Sequence, residues 1–106
     1  MSPGKPGKPV VLSTRTFVNR GEATTHFREM LNRYGPGDRV TDDDAADLAS
    51  LLERHPDRDE KIGPGISHFE VQLADFNTRC FRVVKKDGAW ARFSYHACIS
   101  PAAVED

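Results

Sequence analysis

The chain has 106 residues, with 15 Lys/Arg against 16 Asp/Glu and a net charge of −1. That length supports one domain whose single core needs no metal or disulfide staple. The near-neutral balance excludes a molecule that binds polyanions over its whole surface, and no apolar run of about 18 residues is present to cross a membrane. The charge is unevenly placed, however: residues 1–40 hold seven Lys/Arg and three acids, 41–60 two and eight, and 61–100 six and three. Segregation of this kind leaves room for a basic face on a neutral protein. Two cysteines and the lack of an amino-terminal apolar stretch place the chain in the cytosol.

Residues 1–9, MSPGKPGKP, are rich in Pro, Gly and Lys and read as a flexible tail, residues 10–100 as a single domain, and 101–106 as a short acidic tail. Val10, Val11 and Leu12 begin an extended segment that runs to Phe17 and Val18 and is expected to add an edge strand to the sheet. Asn19 and Glu22 have capping-box spacing. Ala23, Phe27, Met30, Leu31 and Tyr34 then recur at helical intervals until Gly35-Pro36 ends the first helix. Thr41 and Asp44 repeat the signal. Ala45, Leu48, Leu51 and Leu52 form the apolar stripe of a second helix that ends before His55-Pro56. Adjacent carboxylates on a helix point in different directions, so Asp42, Asp43, Asp44 and Asp47 read as charges favouring the positive helix end, not as a metal site.

Residues 57–66 contain Lys61-Ile62-Gly63-Pro64-Gly65-Ile66. A glycine pair beside a lysine suits a phosphate cradle, but the spacing is neither a P-loop nor a dinucleotide fingerprint. The competing reading is a turn, anchored by Ile62 and Ile66, that feeds a strand with Phe69, Val71 and Leu73 on one face and Glu70 and Gln72 outward. Two further strand-like runs flank Lys86-Asp87-Gly88. A three-residue loop with Gly88 left-handed sets Val84 opposite Trp90, Arg82 opposite Arg92 and Cys80 opposite Ser94 on one side. Val83/Ala91, Phe81/Phe93 and Arg79/Tyr95 then pair on the core side, which turns Arg79 toward the core's rim. The outer face gathers Arg82, Arg92 and Lys86 around Trp90, and like charges across a ladder call for an anion. Either the cations keep a sheet face soluble and lie over Trp90, or they meet phosphates and bases.

These residues resemble the DeCL-like domain family, named after the plant protein defective chloroplasts and leaves. The resemblance covers about residues 17–99. It is carried by His55-Pro56, the Lys61-to-Ile66 loop, Arg79-Cys80-Phe81, Asp87-Gly88, and Phe93-Ser94-Tyr95 through Cys98-Ile99. It implies association with RNA, since plant members are linked to ribosomal RNA maturation in plastids and related domains end the largest subunits of plant-specific RNA polymerases. Without a transit peptide or an appended polymerase this chain looks bacterial, and only the domain-level role is carried over.

His55, His68 and His96, with Ser94, Cys80 and Cys98, are the polar candidates for chemistry. No nucleophile elbow, paired-His motif or CxxC surrounds them, so no catalytic residue, metal or cofactor is assigned and the cysteines read as buried thiols. The expectation is an α+β fold: a short N-terminal strand, two antiparallel helices, then a three-stranded antiparallel sheet packed on the helices. Its core is Phe27, Leu31, Leu48, Leu52, Phe69, Val71, Phe81, Val83 and Phe93. The expected function is non-catalytic RNA or nucleic-acid binding by a monomer in RNA processing. Lys61, Arg79, Arg82, Lys85, Lys86 and Arg92 meet phosphates, Gly63 and Gly65 shape the loop, and Trp90 stacks on a base. The alternative is a protein-interaction module using the same Trp/Arg face, and the third reading is a metal-dependent nuclease or nuclease accessory.

Overall fold

The computed structural model describes residues 9–99. The expected tails at 1–9 and 101–106 therefore lie outside the described residues, Pro9 excepted. Val10–Val11 (β1) and Thr16–Phe17 (β2) pair with each other and do not extend the main sheet. The segment doubles back because the Leu12 N–H donates to the Arg15 carbonyl at 2.8 Å, a turn that lets Val10, Leu12 and Phe17 all be buried.

Both helices start at their expected caps. Asn19 Oδ1 accepts from the Glu22 N–H at 2.9 Å and opens α1, Arg20–Asn32, whose Ala23, Phe27, Met30 and Leu31 are buried. Thr41 Oγ1 accepts from the Asp44 N–H at 3.3 Å and opens α2, Asp42–Leu52, with three aspartates in its first turn. Asp47 differs from that trio, because it is buried on the face of α2 that meets the β1–β2 turn. Arg15 NH2 lies 3.0 Å and His26 Nε2 3.1 Å from its Oδ2. Beside it Ser50 Oγ accepts the Ser13 N–H at 2.7 Å, so the amino-terminal hairpin is fastened to α2 by polar contacts as well as by apolar burial. Burial raises the Asp47 pKa, but hydrogen bonds from Thr14, His26 and Arg15 outweigh it and leave the carboxyl below its ordinary range.

Within the expected loop, Arg58–Ile62 forms a short helix, α3. The His55 ring supports its entry, with Nδ1 accepting the Asp57 N–H at 2.9 Å, and Gly63 at φ +55° ends it. A helix of five residues is too short for apolar periodicity to reveal.

Ile66–Leu73 (β3), Arg79–Lys85 (β4) and Trp90–Phe93 (β5) make the antiparallel sheet in the order β3-β4-β5. Phe69, Val71, Phe81, Val83 and Phe93 face α1 and α2, and all nine expected core residues are buried. The free edge of β3 is covered by residues 37–40. There Val71 donates to Asp38 O at 3.0 Å, and Gly37 and Val40 donate back to β3 carbonyls. Past Phe93 the chain leaves the sheet, so the expected Cys80/Ser94 and Arg79/Tyr95 pairs do not form and Tyr95–Ile99 is a helix, α4. Ser94 Oγ accepts the His96 N–H at 3.2 Å at its start. Arg54 Nε and NH2 donate to the Cys98 and Ile99 carbonyls at 2.9 and 3.0 Å at its end. Local capping and a clamp from α2's end thus override the strand propensity of Phe93-Ser94-Tyr95. The fold is α+β, and no helix among the described residues is long and apolar enough to cross a membrane.

Candidate nucleic-acid interface

The β4–β5 hairpin has the expected register, with Arg82 opposite Arg92 and Val84 opposite Trp90. Gly88 sits at φ +90° and its N–H donates to Lys85 O at 2.9 Å, while Asp87 Oδ1 accepts the Ala89 N–H at 3.0 Å. The anion called for by the facing arginines comes from the chain itself. Glu70 on β3 accepts from Arg82 Nε at 2.9 Å and also from its NH2, Gln72 Oε1 accepts from NH1 at 3.2 Å, and His68 Nε2 lies 2.7 Å from the other Glu70 oxygen. The Arg82 hydrogen bond, and then that of His68, hold the Glu70 carboxyl below its ordinary range. The Arg82 carbon lies 5.1 Å from the Trp90 ring centroid, leaving Trp90 about half exposed. Arg82 is therefore occupied within the sheet, whereas Arg92 is exposed.

The glycine loop seats lysines. A Cβ on Gly63 would lie 3.1 Å from Lys85 Cδ, and one on Gly65 would lie 3.0 Å from Lys86 Cδ, so both stems run over bare backbone. Lys85 Nζ donates to Glu60 O at 2.8 Å, and the Lys86 N–H donates to Gly65 O at 2.9 Å. Gly65 is also at φ +130°, which a side chain rarely adopts. Gly65→Ala is expected to lower the unfolding free energy by about 1–3 kcal/mol in urea denaturation, and an unchanged midpoint would contradict the close seating.

A cleft of about 740 Å³ opens where β5 stops short of β4. Its cations come from three elements: Lys61 on α3, Arg79 at the start of β4 and Arg92 on β5, with His55 and His96 beside them. Among the described residues no Asp or Glu lines it. Lys61 Nζ donates to the Arg92 carbonyl at 2.9 Å, and Arg79 NH1 donates to the Tyr34 carbonyl at 2.9 Å, which fixes both stems while leaving further N–H groups on each side chain. Burial, and then the Lys61 charge, lower the His55 pKa, so its imidazole is neutral at pH 7. Strand alternation also points the Arg79 backbone toward the gap, since Lys85 N–H meets Ala89 O and every second residue of β4 repeats that direction.

Of the residues singled out in the sequence, the cleft gathers Lys61, Arg79 and Arg92, while Gly63, Gly65, Arg82, Lys85, Lys86 and Trp90 are not among its lining. Most of the segments that carry the family resemblance meet here, because His55, Lys61, Arg79-Cys80-Phe81 and Phe93-Ser94-Tyr95 all contribute, whereas Asp87-Gly88 lies at the hairpin turn away from it. Burial raises the Cys80 thiol and pushes Cys98 up to about 12, the opposite of the shift that makes a thiol nucleophilic. Sequence reasoning passed over Phe76, which is 95% exposed on the β3–β4 turn, although Asp75 and Asn77 around it are turn-forming residues.

A family model described as protein of unknown function (DUF3223) matches residues 28–99. Protein DCL, chloroplastic, from Solanum lycopersicum is 44% identical over 70 residues, which is 63% of this chain and 31% of that protein. DNA-directed RNA polymerase IV subunit 1 from Arabidopsis thaliana is 33% identical over 85 residues, 79% of this chain and 6% of the subunit. The chain thus spans under a third of the one and a small fraction of the other. The solution NMR structure of an uncharacterized protein from Rhodospirillum rubrum superposes with a TM-score of 0.80 at 42% identity, covering 92% of this chain and 91% of that one.

Proposed function

The chain belongs to the DUF3223 family, and from that premise we propose that it is a non-catalytic nucleic-acid-binding domain, specifically for RNA. The observation that carries this reading is the acid-free cleft, in which three permanent cations converge on a protein whose net charge is −1. Leaving every carboxylate of the described residues out of one concavity creates a local positive potential that net charge conceals. Relatives named as subunits of RNA polymerases support a nucleic-acid setting.

Lys61, Arg79 and Arg92 contact phosphates in the cleft. Lys85 and Lys86, seated on Gly63 and Gly65, extend the basic surface toward the hairpin, where Trp90 offers a base the ring face opposite Arg82. The Arg82 guanidinium serves this surface by holding Trp90 in place. The unit is a monomeric, cytosolic domain over residues 10–100 that acts in RNA processing or maturation.

Titrating amide chemical shifts with a short single-stranded RNA and a matched duplex, with a Glu-rich peptide as charge control, tests the reading. Saturable shifts around Lys61, Arg79 and Arg92 with RNA alone are expected. Absence of shifts with either nucleic acid sinks it, and saturation by the acidic peptide points instead to a protein partner.

A further inference from the structure

We propose that Phe76 is a base-stacking residue at the mouth of the cleft, a proposal that rests on the RNA-binding reading and specifies single-stranded RNA as the ligand. Ala74 and Thr78, on either side of the turn, both line the cleft, and Arg79 follows directly. The turn is braced: the Thr78 N–H and Oγ1 donate to Asp75 O at 3.2 and 2.7 Å, and the Ala74 N–H donates to Thr78 O at 2.7 Å. Phe76 at φ 61°, ψ 34° and Asn77 at φ 61° are both left-handed. These are the central positions of a mirror-image hairpin turn, where Asn and Gly are the ordinary occupants and a bulky side chain is strained.

A phenylalanine in that place gains nothing inside the molecule. It is 95% exposed, so no buried area offsets the strained backbone or the hydration of its ring, and Leu73 nearby is also half exposed. Folding alone would favour Asn or Gly at position 76. The return must come from outside the chain, and the neighbouring cations indicate its source. An exposed aromatic ring on a braced turn beside a cationic cleft that no acid among the described residues lines is the arrangement that holds single strands: phosphates meet the cations and an unstacked base lies on the ring. A duplex keeps its bases stacked and offers the ring no face.

The test compares Phe76→Asn, Phe76→Leu and Phe76→Trp with the wild type, reading single-stranded RNA affinity by fluorescence anisotropy and stability by thermal denaturation. Phe76→Asn is expected to weaken binding about tenfold while melting at the same or a higher temperature, since Asn tolerates the left-handed backbone. Phe76→Leu is expected to lose nearly as much affinity, and Phe76→Trp to retain it. Wild-type affinity in Phe76→Asn or Phe76→Leu overturns the stacking role and leaves the RNA-binding reading intact. Weaker binding accompanied by a lower melting temperature overturns it too, as a folding effect. If the wild type binds no single-stranded RNA at all, the underlying reading falls and this proposal falls with it.

Discussion

Replacing Arg79 and Arg92 together by Ala is expected to weaken single-stranded RNA binding about a hundredfold, roughly tenfold for each guanidinium–phosphate hydrogen-bonding group removed. The two guanidinium groups approach the cleft from different strands, and both residues are exposed. Removing them takes two of the three Lys/Arg that line the site among the described residues. Because each phosphate contact on a single strand releases bound counterions, the slope of log affinity against log salt should become shallower by about 1.4 units. Arg82→Ala is the informative contrast. Its guanidinium is taken up by Glu70, Gln72 and Trp90, so its removal leaves the Glu70 carboxylate with His68 alone and should appear mainly as reduced stability. Measuring affinity across a salt series for the three proteins decides the matter. If Arg82→Ala costs more affinity than the double variant while leaving the melting temperature unchanged, the interface lies on the outer sheet face and not in the cleft.

Asp47→Ala is expected to destabilise the domain by about 2–3 kcal/mol, below the largest values for broken buried pairs because the Arg15 side chain is about half exposed and partly hydrated. The variant removes the carboxylate that joins Arg15 of the β1–β2 turn, His26 of α1 and α2 itself, so the amino-terminal hairpin loses its charged fastening and keeps only the Ser13–Ser50 hydrogen bonds. For a chain of this size that corresponds to roughly 10–20 °C in melting temperature. The pH dependence carries the same signature. Asp47 and Glu70 both have folded pKa values below those of the unfolded chain. The unfolded state therefore binds more protons between the two values, and the stability they contribute is fully present above about pH 5 and lost as pH falls through the lower, folded values. Denaturant midpoints measured from neutral to acid pH should show this limb in the wild type and a smaller one in Asp47→Ala. Identical acid limbs would remove Asp47 from the account.

Sequence alone was sufficient wherever the responsible interaction is local. Asn19 and Thr41 each bond a backbone N–H three residues on, Gly88 supplies the left-handed position of a three-residue loop, and alternation along β3, β4 and β5 sorts Phe69, Val71, Phe81, Val83 and Phe93 onto one face. Register then follows by counting, which is why the Arg82/Arg92 and Val84/Trp90 pairs were legible in the residue order. The short helices α3 and α4 were not, since five residues carry too little periodicity and α4 is held by Arg54 from 44 residues away.

The composition of the sheet's outer face was legible, but its electrostatics were not: whether Arg82 is a free cation depends on Glu70, 12 residues earlier and on another strand. The same holds for Asp47, which shares the acidic run of α2 but is buried among groups from two other elements. Periodicity, caps and turns determined the two long helices, the three strands of the main sheet and which of their faces are apolar, because these are interactions within a few residues. The tertiary structure decided which charges are spent, where the cations converge without an acid among the described residues, and that Phe76 stands in solvent, because pairing and burial depend on segments that meet only when the chain is folded.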